Sequence, residues 1–383
     1  MGIDRLLPAP AGSFFLFGVR GAGKTTWARR AFPKAVNFDL LDERLYLDLS
    51  ADPARLGREL AGLRPGATVI LDEVQRIPPL LNEVHRAIES HRLRFVLLGS
   101  SARRLKTAGT NLLAGRASVK TMFPLVPMEL GSAFSLERVL RFGSIPVIWE
   151  AADPRSALES YVQLYLREEI KAEALVRNLP AFLRFLSVAA LFHGQTVNVS
   201  GLARDAATSR TTVDGYLEIL EDTLVAMRLP AYEARLRTRE RAHPKLYWVD
   251  PGLVRAAKRQ LGSVTAEERG PLFEGWIFTM LRAHNEARPL FDDIAYWAPA
   301  QARYTEVDFL LRRGRELLAI EVKSSVRVSG TDAAGLRAIG ELPRVARRVL
   351  VYLGDRVQKL DAHIEAWPLD RFLQALAGDT LWP

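Results

Sequence analysis

The chain has 383 residues, a formal net charge of +9 and no cysteine. Its length admits two or three domains, and the missing cysteine excludes disulfides, thiolate metal sites and a cysteine nucleophile, as suits a reducing, cytoplasmic setting. No apolar run nears the ~20 residues of a membrane span, the first residues lack a secretory leader's apolar core, and the basic balance admits a nucleic-acid partner.

Ser13-Phe14-Phe15-Leu16-Phe17 reads as a buried strand, and Thr26-Trp27-Ala28-Arg29-Arg30 as the start of a helix. Between them, Gly18-Val19-Arg20-Gly21-Ala22-Gly23-Lys24-Thr25 fits G-x-x-x-x-G-K-[ST], the Walker A phosphate loop. Its glycines let backbone N–H groups close around a nucleotide's phosphates, and the helix N-terminus adds a favourable dipole. Residues Gly18 to Thr26 are the expected nucleotide contacts. Lys24 supplies charge at the β- and γ-phosphates, and the Thr25 hydroxyl can ligate Mg²⁺.

Further strand-like runs follow at Ala35–Asp39, Val69–Asp72, Phe95–Gly99 and Ser118–Phe123, alternating with helical patterns. This predicts an α/β parallel sheet with ligands at the strands' carboxyl ends. Thr68-Val69-Ile70-Leu71-Asp72-Glu73 is a Walker B motif. Adjacent carboxylates after an apolar run are costly in a plain buried strand. Asp72 can hold the Mg²⁺ shell and Glu73 can polarise the attacking water. Ser100, after the fourth strand, either orients that water or caps a helix.

Arg92, Arg94, Arg103, Arg104, Lys106, Arg116 and Lys120 form a basic stretch without acids. It can supply an arginine finger to a neighbouring subunit, contact a nucleic-acid backbone or be a solvated face. Arg116, preceded by Gly115, is the finger candidate. The order of motifs resembles the AAA+ ATPases, in which a strand separates the Walker A and Walker B strands, and this implies a P-loop core over residues 1–130.

Leu158–Arg177 has helical periodicity and resembles the lid after an AAA+ core, expected at 131–180. Arg167 there is either a lid arginine or a surface ion-pair partner. In 181–255, Ser200 and Ser209 are expected to cap two short helices. Val225–Leu229 and Leu246–Val249 are expected as strands, with Arg235, Arg237, Arg239 and Arg241 between them. This looks like a winged helix, which reads DNA or docks protein.

In 256–383, Thr305–Leu311 and Leu317–Lys323 alternate as strands. Glu321 and Lys323 share a face at i and i+2; Asp308 can meet them, and Glu274 lies in the helical pattern Leu272–Leu281. The set matches D-(x)n-E-x-K of the PD-(D/E)xK nuclease fold. It is either a Mg²⁺ site for phosphodiester cleavage or an ion-paired scaffold without cleavage.

Taken together, the chain resembles prokaryotic AAA+-type ATPases with an AAA_14 core and a C-terminal DUF4143 domain. The resemblance rests on Gly18–Thr25, Ile70–Glu73, Gly99-Ser100-Ser101-Ala102 and Leu113–Arg116 in the core, with Phe123-Pro124-Leu125 and Glu129-Leu130 closing it. Beyond the core it rests on Pro244-Lys245-Leu246-Tyr247, Asp250-Pro251-Gly252-Leu253, Tyr296-Trp297, Glu306-Val307-Asp308 and Ile320–Lys323. Family members often carry Gly-Gly-Leu-Pro where this chain has Gly143-Ser144-Ile145-Pro146. The resemblance implies a cytoplasmic ATPase with ATP and Mg²⁺ as cofactors, joined to a winged helix and a nuclease-like domain.

The leading expectation is an oligomeric ring that remodels or translocates DNA, branched DNA included. The alternatives are an ATP-regulated, Mg²⁺-dependent endonuclease and a slow signalling ATPase that binds protein.

Overall fold

The computed structural model describes residues 3–101, 113, 115–166, 178–232, 243–299, 305–378 and 380–383. Arg103, Arg104, Lys106, Arg167, Arg235, Arg237, Arg239 and Arg241 lie outside the described residues.

The first part is a five-stranded, wholly parallel sheet of β1 (Ser13–Phe17), β2 (Val36–Asp39), β3 (Thr68–Asp72), β4 (Arg94–Gly99) and β5 (Ala117–Thr121) in the order β2-β3-β4-β1-β5. Each predicted strand is present within a residue or two. β4 lies between β1 and β3, so the Walker A and Walker B strands are neighbours in neither sequence nor space. From Phe14 to Phe17 β1 is wholly apolar, as a strand covered on both faces requires. Phe14 and Leu16 pack with Trp27 and Ala28 of α1 (Lys24–Ala31). Phe15 and Phe17 pack with α2 (Glu43–Ala51), α3 (Ala54–Ala61) and α4 (Leu80–His91).

The chain then runs through α5 (Leu136–Phe142), a turn at residues 143–145 and α6 (Pro154–Ser160), which passes into a wider π-type turn at Tyr161–Leu166. The predicted helix over Leu158–Arg177 is thus interrupted early, and its second half lies outside the described residues. Next come α7 (Leu179–Leu191), β6 (Gln195–Thr196), α8 (Val199–Asp205), α9 (Arg210–Asp222), β7 (Ala226–Leu229) and β8 (Lys245–Trp248). The three strands form an antiparallel sheet in the order β6-β8-β7. Ser209 caps α9 as expected, accepting from the Thr212 amide. Ser200 does not cap α8. Asn198 does: its Oδ1 accepts from the Ser200 and Gly201 amides, so Ser200 falls inside the helix.

Finally, α10 (Pro251–Ala257) and the 22-residue α11 (Ala266–Ala287) lead into a six-stranded mixed sheet. It comprises β9 (Asp293–Trp297), β10 (Val307–Arg313), β11 (Glu316–Lys323), β12 (Val345–Tyr352), β13 (Gln358–Asp361) and β14 (Ile364–Pro368), ordered β13-β14-β12-β11-β10-β9. α12 (Ala334–Ala338) and α13 (Leu369–Gly378) complete it. One apolar cluster runs from Phe14 and Leu16 through Ile145, Phe182 and Trp248 to Trp276, Phe309 and Val351. Fully burying each such side chain stabilises by roughly 1.5–3 kcal/mol, so separating the three regions would expose a shared core.

Candidate active site

The phosphate loop closes the carboxyl end of β1. Gly23 is the N-cap of α1 at φ 87°, and Gly21 has φ 74°, both in the left-handed region. α1 has no acidic residue in its first turn, which leaves its N-terminal dipole unopposed for phosphate. Gly18 is needed for space: a Cβ there would sit 2.5 Å from the Met122 carbonyl oxygen.

Lys24 is buried and donates to the Gly18 and Val19 carbonyls at 2.7 and 3.3 Å. Thr25 Oγ1 donates to Asp72 Oδ2 at 2.6 Å. Burial pushes the Asp72 carboxyl above its ordinary range; the Thr25 hydrogen bond and Lys24 oppose this, while Glu73 and Asp39 reinforce it. A buried carboxylate short of positive charge, with a hydroxyl in contact, is an oxygen donor set suited to Mg²⁺. The residues present therefore fit that ion.

Glu73 follows Asp72 with φ 56°, in a left-handed conformation unusual for a non-glycine residue. This turns its carboxylate towards Gln75, whose Nε2 donates to it and also to Ser100 Oγ at 3.1 Å. Gln75 is buried, and a Cβ on Gly99 would lie 2.6 Å from its Oε1. Sequence reasoning missed Gln75. The available signal was an amide two residues beyond Glu73.

Residues from the next region cover the loop. Val147 N donates to Gly21 O at 3.4 Å and Tyr161 Oη to Arg20 O at 2.9 Å. Arg5 donates to Ala22 O and Phe123 O, both at 2.6 Å, and to Glu129 at 2.9 Å. Beside the loop opens a cavity of about 1060 Å³ lined by Arg5, Gly23, Trp27, Leu125, Pro146 and Trp149.

Arg116 sits elsewhere. Ala117 pairs with Ser13 and Thr121 with Phe17, so Arg116 lies at the start of β5, the sheet end opposite the phosphate loop. It is ion-paired with Glu89 of α4, which holds the Glu89 carboxyl below its usual range. It does not join Lys24 and Asp72 in its own chain.

A second polar cluster lies in the C-terminal sheet. Glu274 from α11, Asp308 from β10, and Glu321 and Lys323 from β11 come together as expected. Lys245 and Tyr247 of β8 enter the same cluster, which sequence reasoning missed. The Lys245 ammonium is 3.0 Å from Glu274 Oε1 and 3.5 Å from Asp308 Oδ1, and it pairs with Glu306. Tyr247 Oη also donates to Glu274 Oε1. Val322 N donates to Asp308 Oδ2 at 2.8 Å, and Lys323 Nζ to Glu321 Oε1 at 2.6 Å. Burial, reinforced by Asp308, pushes Glu274 up to about 7 and Glu321 up to about 8. Burial alone would lower Lys245, but Glu274, Asp308 and Glu306 outweigh it and raise it. Among the described residues, no three carboxylate or imidazole groups are arranged to hold a metal ion. Of the two arrangements open for Glu274, Asp308, Glu321 and Lys323, these contacts describe ion pairing: Glu274 Oε1 accepts from Lys245 and Tyr247, Asp308 Oδ2 from a backbone amide and Glu321 Oε1 from Lys323.

No described helix is long and apolar enough to cross a membrane. Three family models match the chain: an AAA domain (AAA_14) at residues 11–130, a domain of unknown function (DUF8612) at 133–263, and another (DUF4143) at 269–372. DUF8612 spans the stretch read as lid and winged helix. Uncharacterized proteins of Mycobacterium bovis and Mycobacterium tuberculosis are each 29% identical over 382 residues, covering 96% of this chain and 82% of theirs. Among solved structures, the Aeropyrum pernix Orc1 protein in complex with DNA is 15% identical, with 66% of this chain and 87% of that one covered and a TM-score of 0.28. A Pyrococcus horikoshii signal transduction ATPase with numerous domains is 16% identical, with 72% and 44% covered and a TM-score of 0.24. Scores this low establish no shared overall arrangement. With its parallel sheet, phosphate loop and acidic strand end, the chain joins an AAA domain of the AAA_14 family to a C-terminal DUF4143 domain.

Proposed function

We propose that the protein is a Mg²⁺-dependent ATPase that works on DNA as a homo-oligomeric ring. The observation that carries the ATPase reading is the contact between Thr25 and Asp72, which brings the phosphate loop and the Walker B strand end together at 2.6 Å. Bound Mg²⁺ would neutralise phosphate charge; Thr25 and Asp72 would hold it. Lys24 would turn from the loop carbonyls to the β- and γ-phosphates. Glu73 would accept the proton of the attacking water, with Gln75 and Ser100 positioning its carboxylate. The cavity lined by Trp27, Pro146 and Trp149 offers apolar and aromatic surface for the base. Arg116, remote from its own phosphate loop, would serve a neighbouring subunit's site.

Support for DNA comes from the net charge of +9 and from element order. The run α7-β6-α8-α9-β7-β8, with its three-stranded sheet, supports reading this region as a winged helix, in which α9 would be the reading helix. The domain division expected from sequence, with a core to 130, a lid to 180, a winged helix to 255 and a nuclease-like unit beyond, is part of the same proposal. A second reading has its own observation. α9 carries Arg210 at its exposed start, but Asp214, Glu218, Glu221 and Asp222 along its length, and such a face repels phosphate. This favours a winged helix that docks a protein partner and an ATPase that acts as a switch.

ATP turnover with and without duplex, single-stranded and four-way DNA separates the two. The DNA reading expects stimulation and a DNA affinity that falls steeply with salt. Turnover indifferent to every DNA, with no salt-dependent binding, would leave the protein-switch reading. A Lys24→Ala protein with wild-type turnover would remove both.

A further inference from the structure

The cluster around Glu274 and Asp308 contains a cation supplied by the chain itself. Lys245 is 3% exposed, and its ammonium faces carboxylates from two elements: Glu274 on α11, and Glu306 and Asp308 at the start of β10. It comes from the middle region and enters the C-terminal one. Tyr247, two residues on and on the same face of β8, also donates to Glu274 Oε1. A cavity of about 310 Å³ adjoins, lined by Glu306, Asp308, Glu321, Lys323 and Asp332 among others. Glu321 Oε2 is buried there without a hydrogen-bond partner.

A divalent ion bound to Glu274 Oε1 or Asp308 Oδ1 at the ~2.1 Å of Mg²⁺–oxygen bonds would lie within about 6 Å of the Lys245 ammonium, which is 3.0 and 3.5 Å from those two oxygens, and would meet its like charge in a buried setting. Moving the ammonium aside would strand a cation that is otherwise shut away from water, at a high desolvation cost. We infer that Lys245 is the resident counter-ion of this carboxylate site, occupying the place of a divalent metal and fastening β8 to the C-terminal unit. The site is then a docking joint between two regions of the chain, and it gains a divalent-ion site only when Lys245 is removed. The inference is independent of the ATPase reading.

The test uses the full-length protein, free of nucleotide and carrying Asp72→Asn to silence the phosphate-loop metal position. Mn²⁺ binding is followed by electron paramagnetic resonance. With Lys245 in place, adding Asp308→Asn is expected to change nothing. Lys245→Met is expected to tighten Mn²⁺ binding at least tenfold, and Asp308→Asn is expected to abolish that gain. Mn²⁺ binding that depends on Asp308 while Lys245 is present would overturn the proposal, as would a folded Lys245→Met protein with no gain. If Lys245→Met does not fold, the first comparison still decides, because both of its proteins keep Lys245.

Discussion

The Ser144 amide donates to Asp250 Oδ2 at 2.7 Å. This bond joins two stretches far apart in sequence. Asp250 is fully buried and also caps α10 through the Leu253 amide at 3.2 Å. Ser144 belongs to the turn that leads to Val147, whose amide reaches Gly21 of the phosphate loop. The strand that carries Lys245 and Tyr247 into the C-terminal cluster thus ends two residues before Asp250, which holds the turn against the nucleotide site.

Gly143, not Ser144, is the glycine this turn requires. Gly143 has φ 76°, and a Cβ there would lie 1.8 Å from Asp250 Oδ1. Ser144 has no positive φ, so a side chain is accommodated there without backbone strain. Gly143→Ala is expected to destabilise by roughly 3–5 kcal/mol, adding backbone strain to a clash with a buried carboxylate. Ser144→Gly should cost roughly 0.5–1 kcal/mol, from backbone entropy alone. Thermal melts of the two variants check the contrast, and equal melting temperatures would contradict it.

Removing Lys24 or Asp72 acts on chemistry more than on folding. Lys24→Ala removes a charge aimed at the phosphates, and losing one positioned electrostatic group of this kind typically slows turnover by ~10²–10³-fold. Asp72→Asn should slow it comparably and also weaken the dependence on Mg²⁺. Steady-state ATP hydrolysis across a Mg²⁺ titration measures both effects. Asp72→Asn should melt no lower than the wild type, because it removes a buried carboxylate whose charged form burial disfavours.

Most of this site was legible in sequence because phosphate binding is local: eight consecutive residues and one strand end hold most of its chemistry. The parallel sheet was legible for a similar reason, since strands covered on both faces are continuously apolar. The role of Gln75 was not legible, because the glutamine matters only through Ser100, brought beside it by pairing between β3 and β4. Lys245 was hidden for the same reason. A lysine at the start of a four-residue strand reads as solvated, and only the docking of β8 on α11 buries it among acids from other elements. The carboxylates themselves were recognisable; their counter-ion was a matter of tertiary structure.

Gln75→Leu keeps the side chain's bulk but removes the donor shared by Glu73 and Ser100. If Gln75 positions the glutamate, kcat should fall by ~10–100-fold, the range for a slightly misplaced catalytic group, while KM for ATP stays near its wild-type value. Combining Gln75→Leu with Ser100→Ala should cost little more than the worse single change, because the two residues act through one network. A rise in KM with unchanged kcat would instead place Gln75 in nucleotide binding.

Stability should fall as pH rises from about 6.5 to 8.5. Burial raises Asp250 and Glu274 to about 7 and Glu321 to about 8, against about 4 in the unfolded chain. Across that interval the folded protein binds protons that the unfolded chain has released, so the unfolding free energy decreases with pH. Below about 6.5 a second effect opposes this. His193 and His284, lowered by burial to about 3 and about 4, stay neutral when folded but take up protons when unfolded. Acidification therefore removes stability through the two histidines while adding it through the three carboxyls; the carboxyls outnumber the histidines, so stability keeps rising more gently below pH ~6.5 and levels off only near pH ~4–4.5, where the unfolded carboxyls protonate. Lys245 keeps its charge throughout, since its raised value lies far above the interval. Melting temperatures at half-unit steps from pH 5 to 9 trace the curve. Glu321→Gln, which has no proton to lose, should flatten the alkaline side between pH ~7 and ~8.5; a wild-type profile that rises through that range would show that these carboxyls are ionised in the folded protein.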